Sequence, residues 1–377
     1  MLGGIAIIAA LAMTGCQKSG SSGGGDNAAK CGGKIGLFGA LSGGNAGLVV
    51  PSRDGARLAV KKFNAANPNC KVTMEEFDSE GDGAKAAPFA SKVASDPTFL
   101  GVIGGFFSGE SRATAPTYEA AGVAMVAPSA TATDLTTKGW KVFHRVVAND
   151  GVQGPGAGLY IKNILKSQKV FIVDDGTAYG APLADQVAGV LGSAVTARDK
   201  VQEKQTNFDA TISKIKAAQV EAVFYGGYTN EAGPFLKQLR GAGVTAKFIG
   251  GDGIYDAGFP PTAGVTESEG AVITCPCLPF DKAKGTFVAD WKAEYNTDPG
   301  VYSAEGYDAA NIFLDAFKAG KTTRKDILDY VSAYDKEGAT KHIKFDANGD
   351  LDKSVTVVWA YTVKNGKIVA DQEVPKS

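Results

Sequence analysis

Apolar and polar positions along this 377-residue chain follow two alternating periods. Short apolar runs that stop at glycines are separated by segments with a helical repeat. Residues 34–39, 71–77, 99–103 and 123–126 read as strands, and residues 51–65, 84–94 and 111–121 as helices. Pro51 opens the first helix, where its fixed φ suits the first turn. Ala87, Ala90, Val93 and Ala94 fall on one face of the second. This rhythm predicts a parallel sheet with right-handed crossovers. It breaks at residues 142–154, where 144–147 is strand-like and 148–151 a linker. It then restarts, with helices at 151–165, 179–191, 209–217 and 230–242 and strands at 169–173, 194–201, 222–225 and 247–249. Residues 271–274 are apolar and run into Cys275-Pro276-Cys277. From there to residue 332 the pattern is mostly helical, strongest over 302–319. Residues 355–361 and 367–369, with Asn365-Gly366 between them, predict a hairpin. The predicted fold class is α/β, two doubly wound parallel-sheet lobes, with the late helices packing back on the first lobe.

Composition narrows the function classes. The 39 basic residues are offset by 40 acidic ones with no basic block, so nothing here suits nucleic acid. The length suits two domains. Residues 5–12 are apolar but far short of the roughly 20 residues of a spanning helix. They end in Met13-Thr14-Gly15-Cys16, which resembles a bacterial lipoprotein signal with Cys16 as the lipidated residue; an ordinary cleaved signal with an incidental cysteine is the alternative. Residues 1–16 are expected to be that signal and 17–31 a Gly/Ser-rich tether. A lipid at Cys16 holds a protein at a membrane without spanning it.

Four further cysteines allow three pairings. Cys31 and Cys70 each precede an apolar strand, placed to bridge the starts of neighbouring parallel strands. Cys275 and Cys277 either pair with each other under strain or pair elsewhere. Structural zinc needs four convergent ligands, and His144 and His342 are the only histidines, so no metal and no cofactor is expected.

No catalytic signature is present: no Gly-x-Ser-x-Gly elbow between a strand and a helix, no Walker loop, and no Gly-x-Gly-x-x-Gly after a strand. The glycines of 154–158 open a helix and predict close helix packing. Asp346-Ala347-Asn348-Gly349-Asp350 departs from a calcium loop at Leu351 and Val357 and reads as a turn. Ser108 and Ser129-Ala130-Thr131 lie at strand ends before helices, where hydroxyls and backbone N–H groups suit a carboxylate; plain helix capping is the competing reading. Tyr228 and Asp252 end two apolar runs, Phe224-Tyr225-Gly226-Gly227 and Phe248-Ile249-Gly250-Gly251. A phenol and a carboxylate at a sheet's carboxyl edge suit a small cationic group.

Several stretches together resemble the leucine/isoleucine/valine-binding proteins of ATP-binding-cassette importers, which have the type 1 periplasmic-binding-protein fold. They are Gly39-Ala40-Leu41-Ser42-Gly43, Met125-Val126-Ala127-Pro128-Ser129-Ala130-Thr131, Gln153-Gly154-Pro155, Asp175-Gly176-Thr177-Ala178-Tyr179-Gly180, Phe224-Tyr225-Gly226-Gly227-Tyr228 and Gly250-Gly251-Asp252-Gly253. The resemblance implies three hinge crossovers and closure around a ligand, with one lobe at 32–148 plus 277–345 and the other at 149–276 plus 346–372. It implies that Ser108, Ser129 and Thr131 hold a ligand carboxylate. A carbonyl near Ser129, the Thr131 hydroxyl and Asp252 then take the α-ammonium, and Tyr179 and Tyr228 cover the ligand. Four positions depart from the pattern: Asp252 stands in place of glutamate, Leu48 in place of an aromatic ring, and Phe106 and Phe107 are bulkier than usual. The expected function is capture of a small, branched-chain aliphatic amino acid by an exported monomer, lipid-anchored on the outer face of the cytoplasmic membrane or facing the periplasm, that serves a membrane permease without covalent chemistry. The alternative is a sensor of an amide, amino acid or aromatic acid acting through a membrane receptor.

Overall fold

The computed structural model describes Gly3 and residues 31–375. The expected signal at 1–16 apart from Gly3, its Cys16, and the expected tether apart from Cys31 lie outside the described residues. In chain order the first lobe is built from β1 (Gly33–Gly39), α1 (Val50–Ala66), β2 (Val72–Asp78), α2 (Gly83–Ser95), β3 (Phe99–Ile103), α3 (Ser108–Ala121), β4 (Ala124–Ala127) and β5 (Phe143–Arg145). The second contains α4 (Asp150–Leu159), β6 (Val170–Asp174), α5 (Gly180–Leu191), β7 (Val195–Lys200), α6 (Asp209–Ala218), β8 (Ala222–Gly226), α7 (Thr229–Gly241), β9 (Lys247–Gly250), α8 (Phe259–Ala263) and β10 (Val272–Cys275). Three helices follow, α9 (Phe287–Tyr295), α10 (Ser303–Lys318) and α11 (Arg324–Ser332), then β11 (Asp335–Glu337), β12 (His342–Lys344), β13 (Trp359–Lys364) and β14 (Lys367–Glu373).

The first sheet has the order β2-β1-β3-β4-β5 and is parallel throughout. The second has the order β14-β13-β10-β9-β8-β6-β7, parallel except for the β13–β14 hairpin, which runs antiparallel along β10. Strands β3, β4, β6 and β8 are buried at every residue, because helices cover both faces, which is why they read as continuous apolar runs. The chain passes to the second sheet after β5, leaves it after β10, and returns at β13.

Cys31 and Cys70 are bonded and tie the starts of β1 and β2, as their positions before the strands suggested. Cys275 and Cys277 are bonded to each other at the end of β10. Among the described residues no cluster of histidine, cysteine and carboxylate side chains is arranged to hold a metal, and no helix is long and apolar enough to cross a membrane.

The late helices pack on the first lobe. A Cβ on Gly55 of α1 would come within 1.9 Å of the Ser303 carbonyl oxygen, and one on Gly306 of α10 within 2.0 Å of the Ser52 carbonyl oxygen. Only glycine allows this crossing, and it fixes the start of α10 beside the cleft. Gly154 and Gly158 bring α4 close to α5, where a Cβ would come within 2.3 Å of the Gln186 side chain and 2.7 Å of the Val190 side chain, the packing that the glycine-rich stretch predicted.

Three elements differ from the sequence reading. The helix expected over 151–165 ends at Leu159 and continues as a π-helical turn, Tyr160–Ile164. The first hairpin strand begins at Trp359 rather than 355, because Lys353–Val355 forms a helical turn capped by Asp352, whose carboxylate accepts from the Ser354 N–H at 2.9 Å. The small β11–β12 pair had no apolar run to announce it, since β11 is fully exposed.

Candidate functional site

The carboxyl edges of the two sheets face each other across a cavity of about 20 Å³. The lobes touch around it. The Tyr302 hydroxyl, at the start of α10, donates to Asp252 Oδ2 at 2.7 Å, and the ring of Phe107 meets that of Tyr228 edge-on at 5.1 Å.

The first lobe contributes the loops after β3 and β4. Glu110 in the first turn of α3 is buried and accepts from the backbone N–H groups of Phe106 and Phe107, both at 3.1 Å, and from the Ser79 hydroxyl. Burial pushes its carboxyl up to about 7, against those hydrogen bonds. This brace presents Ser108, the first residue of α3, at a helix N-terminus that favours negative charge. Ser108 Oγ accepts from the Ala132 N–H at 3.2 Å, and Ser129 Oγ donates to the Phe106 carbonyl at 2.8 Å, so each hydroxyl ties one loop to the other. The fully buried Arg145 holds the β4 loop from below, donating to the carbonyls of Ala130 at 3.0 Å and Ala132 at 2.9 Å, and to Asp350 Oδ1 at 2.5 Å. Thr131 is 1% exposed, and its hydroxyl makes no well-formed hydrogen bond but faces the Asp150 carboxyl.

The second lobe contributes Asp252 and a ring of donors around it. Asp252 Oδ1 accepts from the Tyr179 hydroxyl at 2.7 Å and from Gln153 Nε2 at 2.8 Å. The Gly253 N–H donates to the same tyrosine oxygen at 3.0 Å. Burial raises the Asp252 pKa, and hydrogen bonds from Tyr302, Tyr179 and Gln153 offset part of that rise. Tyr179 and Tyr228 lie with ring centroids 5.0 Å apart. Beside Thr131, whose carbonyl accepts from its backbone N–H at 2.8 Å, stands Asp150. It is wholly buried, and its carboxylate faces the Thr131 hydroxyl without a well-formed hydrogen bond to any group. Burial, and then the nearby Asp252 charge, push its carboxyl up to about 8.

The structure thus brings Ser108, Ser129, Thr131, Tyr179, Tyr228 and Asp252 to one cavity. Ala130 does not line it, because its carbonyl is turned to Arg145. Sequence reasoning gave no role to Tyr302, Asp150, Gln153 or Arg145. Tyr302 sat inside a helical pattern; in the structure it takes φ +56°, a left-handed conformation uncommon for a bulky residue, immediately before α10. Asp150 read as part of a linker, and Gln153 was quoted only within a family stretch. Neither histidine lines the cavity: His144 lies against Ser332 and Phe345, and His342 between Asp335 and Glu337.

Two α/β lobes joined by three crossings, with polar groups of opposite character converging between them, define a hinged binding protein. The chain matches the family described as periplasmic binding protein over residues 33–367, and it belongs to that family. It is 31% identical over 325 residues to the leucine-, isoleucine-, valine-, threonine- and alanine-binding protein of Pseudomonas aeruginosa, covering 84% of this chain and 87% of that one. It is 30% identical over 328 residues to the Leu/Ile/Val-binding protein of Escherichia coli K12, covering 84% and 88%. Among solved structures it resembles the branched-chain amino acid transporter substrate-binding protein LivJ of Streptococcus pneumoniae in complex with isoleucine, with a TM-score of 0.84, 27% identity, and coverage of 91% of this chain and 99% of that one. The relatives are binding proteins, and this chain is not an enzyme.

Proposed function

We propose that this protein captures a small aliphatic α-amino acid outside the cytoplasm and delivers it to the membrane permease of an ATP-binding-cassette importer. The names of its relatives point to the branched-chain class. The observation that carries the reading is the meeting of opposite electrostatics in one cavity between the two sheets. The N-terminus of α3 with Ser108 favours a carboxylate, while Asp252 and the buried Asp150 and Thr131 side chains, which make no well-formed hydrogen bond, favour an ammonium. A zwitterion satisfies both sets at once and draws the lobes together, so binding and closure are one equilibrium. In this reading Tyr179 and Tyr228 cover the ligand, and the lobes comprise 32–148 plus 277–345 and 149–276 plus 346–372. Lipidation at Cys16 anchors a monomer on the outer face of the cytoplasmic membrane or facing the periplasm.

A thermal-shift screen of the twenty amino acids tests the reading. A ligand that binds only the folded state at a hundred times its Kd adds about 2.7 kcal/mol of apparent stability. We expect at least one aliphatic amino acid to raise the melting temperature clearly; no shift with any of the twenty refutes the proposal.

A further inference from the structure

We infer that Phe107 sets the length of the ligand side chain and restricts this protein to amino acids with side chains of at most about three non-hydrogen atoms, the range from alanine to threonine and valine. The inference rests on the amino-acid reading above and adds to it the size of the ligand.

With the ammonium and carboxylate groups placed against the polar residues, the side chain must face the rest of the cavity wall. That wall is Leu48, Val49, Phe106 and Phe107. All four are buried. The cavity is narrow, about 20 Å³, while the lobes are already in contact through Phe107–Tyr228 and Tyr302–Asp252. That volume corresponds to roughly one water molecule, so any amino acid parts the lobes on entry, and each added side-chain carbon parts them further.

Neither ring has room to withdraw. Phe106 lies directly on β1: a Cβ on Gly39 would come within 2.5 Å of its ring and 2.8 Å of the Val49 side chain. The Phe107 ring rests on the turn after β2, where a Cβ on Gly81 would stand 3.3 Å away, and it meets the Tyr228 ring of the opposite lobe. A longer side chain therefore acts on the Phe107–Tyr228 contact, and a ligand that pushes these rings apart works against the closure that binds it. Overfilling a packed interior by a methylene or more is costly enough to weaken binding by about tenfold or more.

The test is calorimetric titration of the purified chain and its Phe107→Ala variant with glycine, alanine, threonine, valine and leucine. A Phe107→Leu variant serves if the alanine variant does not fold, as judged by its circular-dichroism melt. In the unaltered protein we expect alanine, threonine or valine to bind at least tenfold more tightly than leucine. We expect the variant to raise leucine affinity relative to alanine by at least tenfold. Leucine binding as tightly as alanine to the unaltered protein, or an unchanged ratio in the variant, overturns the inference and leaves the amino-acid reading standing. No binding of any of the five to either protein overturns both.

Discussion

Asp150 is the residue on which the electrostatics of the site turn. Its carboxyl is raised to about 8 by burial and by the neighbouring Asp252, whereas an unfolded chain gives an aspartate near 3.9. Between those values the folded state holds a proton that the unfolded state has released. Its contribution to the stability of the unliganded protein is therefore fully present below about pH 4 and is lost as the pH rises towards 8. An arriving ammonium favours the ionised form, so binding at pH 7 should expel that proton and strengthen as the pH rises from 6 to 8. Titrations in two buffers of different ionisation heat will show proton release. Asp150→Asn should abolish the release, flatten the pH profile and weaken binding by about 2–5 kcal/mol, the usual result of removing one partner of a buried charged pair. A profile unchanged in the variant removes Asp150 from the site. None of this was legible in the sequence, where Asn149-Asp150-Gly151 reads as a linker. Its burial depends on how α4 starts beneath the β4 loop, which is a tertiary fact. Ser108, Thr131, Tyr228 and Asp252, by contrast, announce themselves by standing where apolar runs end.

At the scale of elements, each site loop is held by something outside it. Glu110 braces the β3 loop and Arg145 the β4 loop, and both are polar groups fully buried at helix or strand ends. The Cys31–Cys70 bond pins the opposite ends of β1 and β2, far along the strands from the cavity. It spans a sequence separation of 39, for which loop-closure entropy gives about 4 kcal/mol. The double variant Cys31→Ser/Cys70→Ser should lose stability of that order in urea titration while keeping its ligand affinity once folded. A loss of affinity in the folded variant would show that the bond also shapes the site. Most strands and helices were legible because double-sided burial writes strands as apolar runs and helix faces as a regular repeat. The exposed β11 and the helical turn at Lys353–Val355 were not, because side-chain hydrogen bonds and pairing rather than apolar patterning hold them.

For the whole molecule, the crossings between sheets are where motion and rigidity meet. Asp350, on the third crossing, accepts from Arg145 of β5 and, at 3.0 Å, from Asn149 of the first crossing. Lys341 is buried and donates to the Val146 carbonyl at 3.2 Å. These contacts tie the first crossing to the third. The sequence conveyed two lobes through its interrupted rhythm and the reach of the family resemblance, but not that Tyr302 spans the cleft to Asp252. That contact joins segments fifty residues apart in sequence and belonging to different lobes. The central claim is that a single ligand completes two opposite electrostatic half-sites. It is tested most directly by calorimetric comparison of L-valine with isobutylamine, which keeps only the amine, and with isovaleric acid, which keeps only the carboxylate. The account predicts measurable binding of the amino acid and binding at least about a hundredfold weaker for each half-ligand, because a charge-assisted contact on each side is lost. A half-ligand that binds as tightly as valine would contradict it.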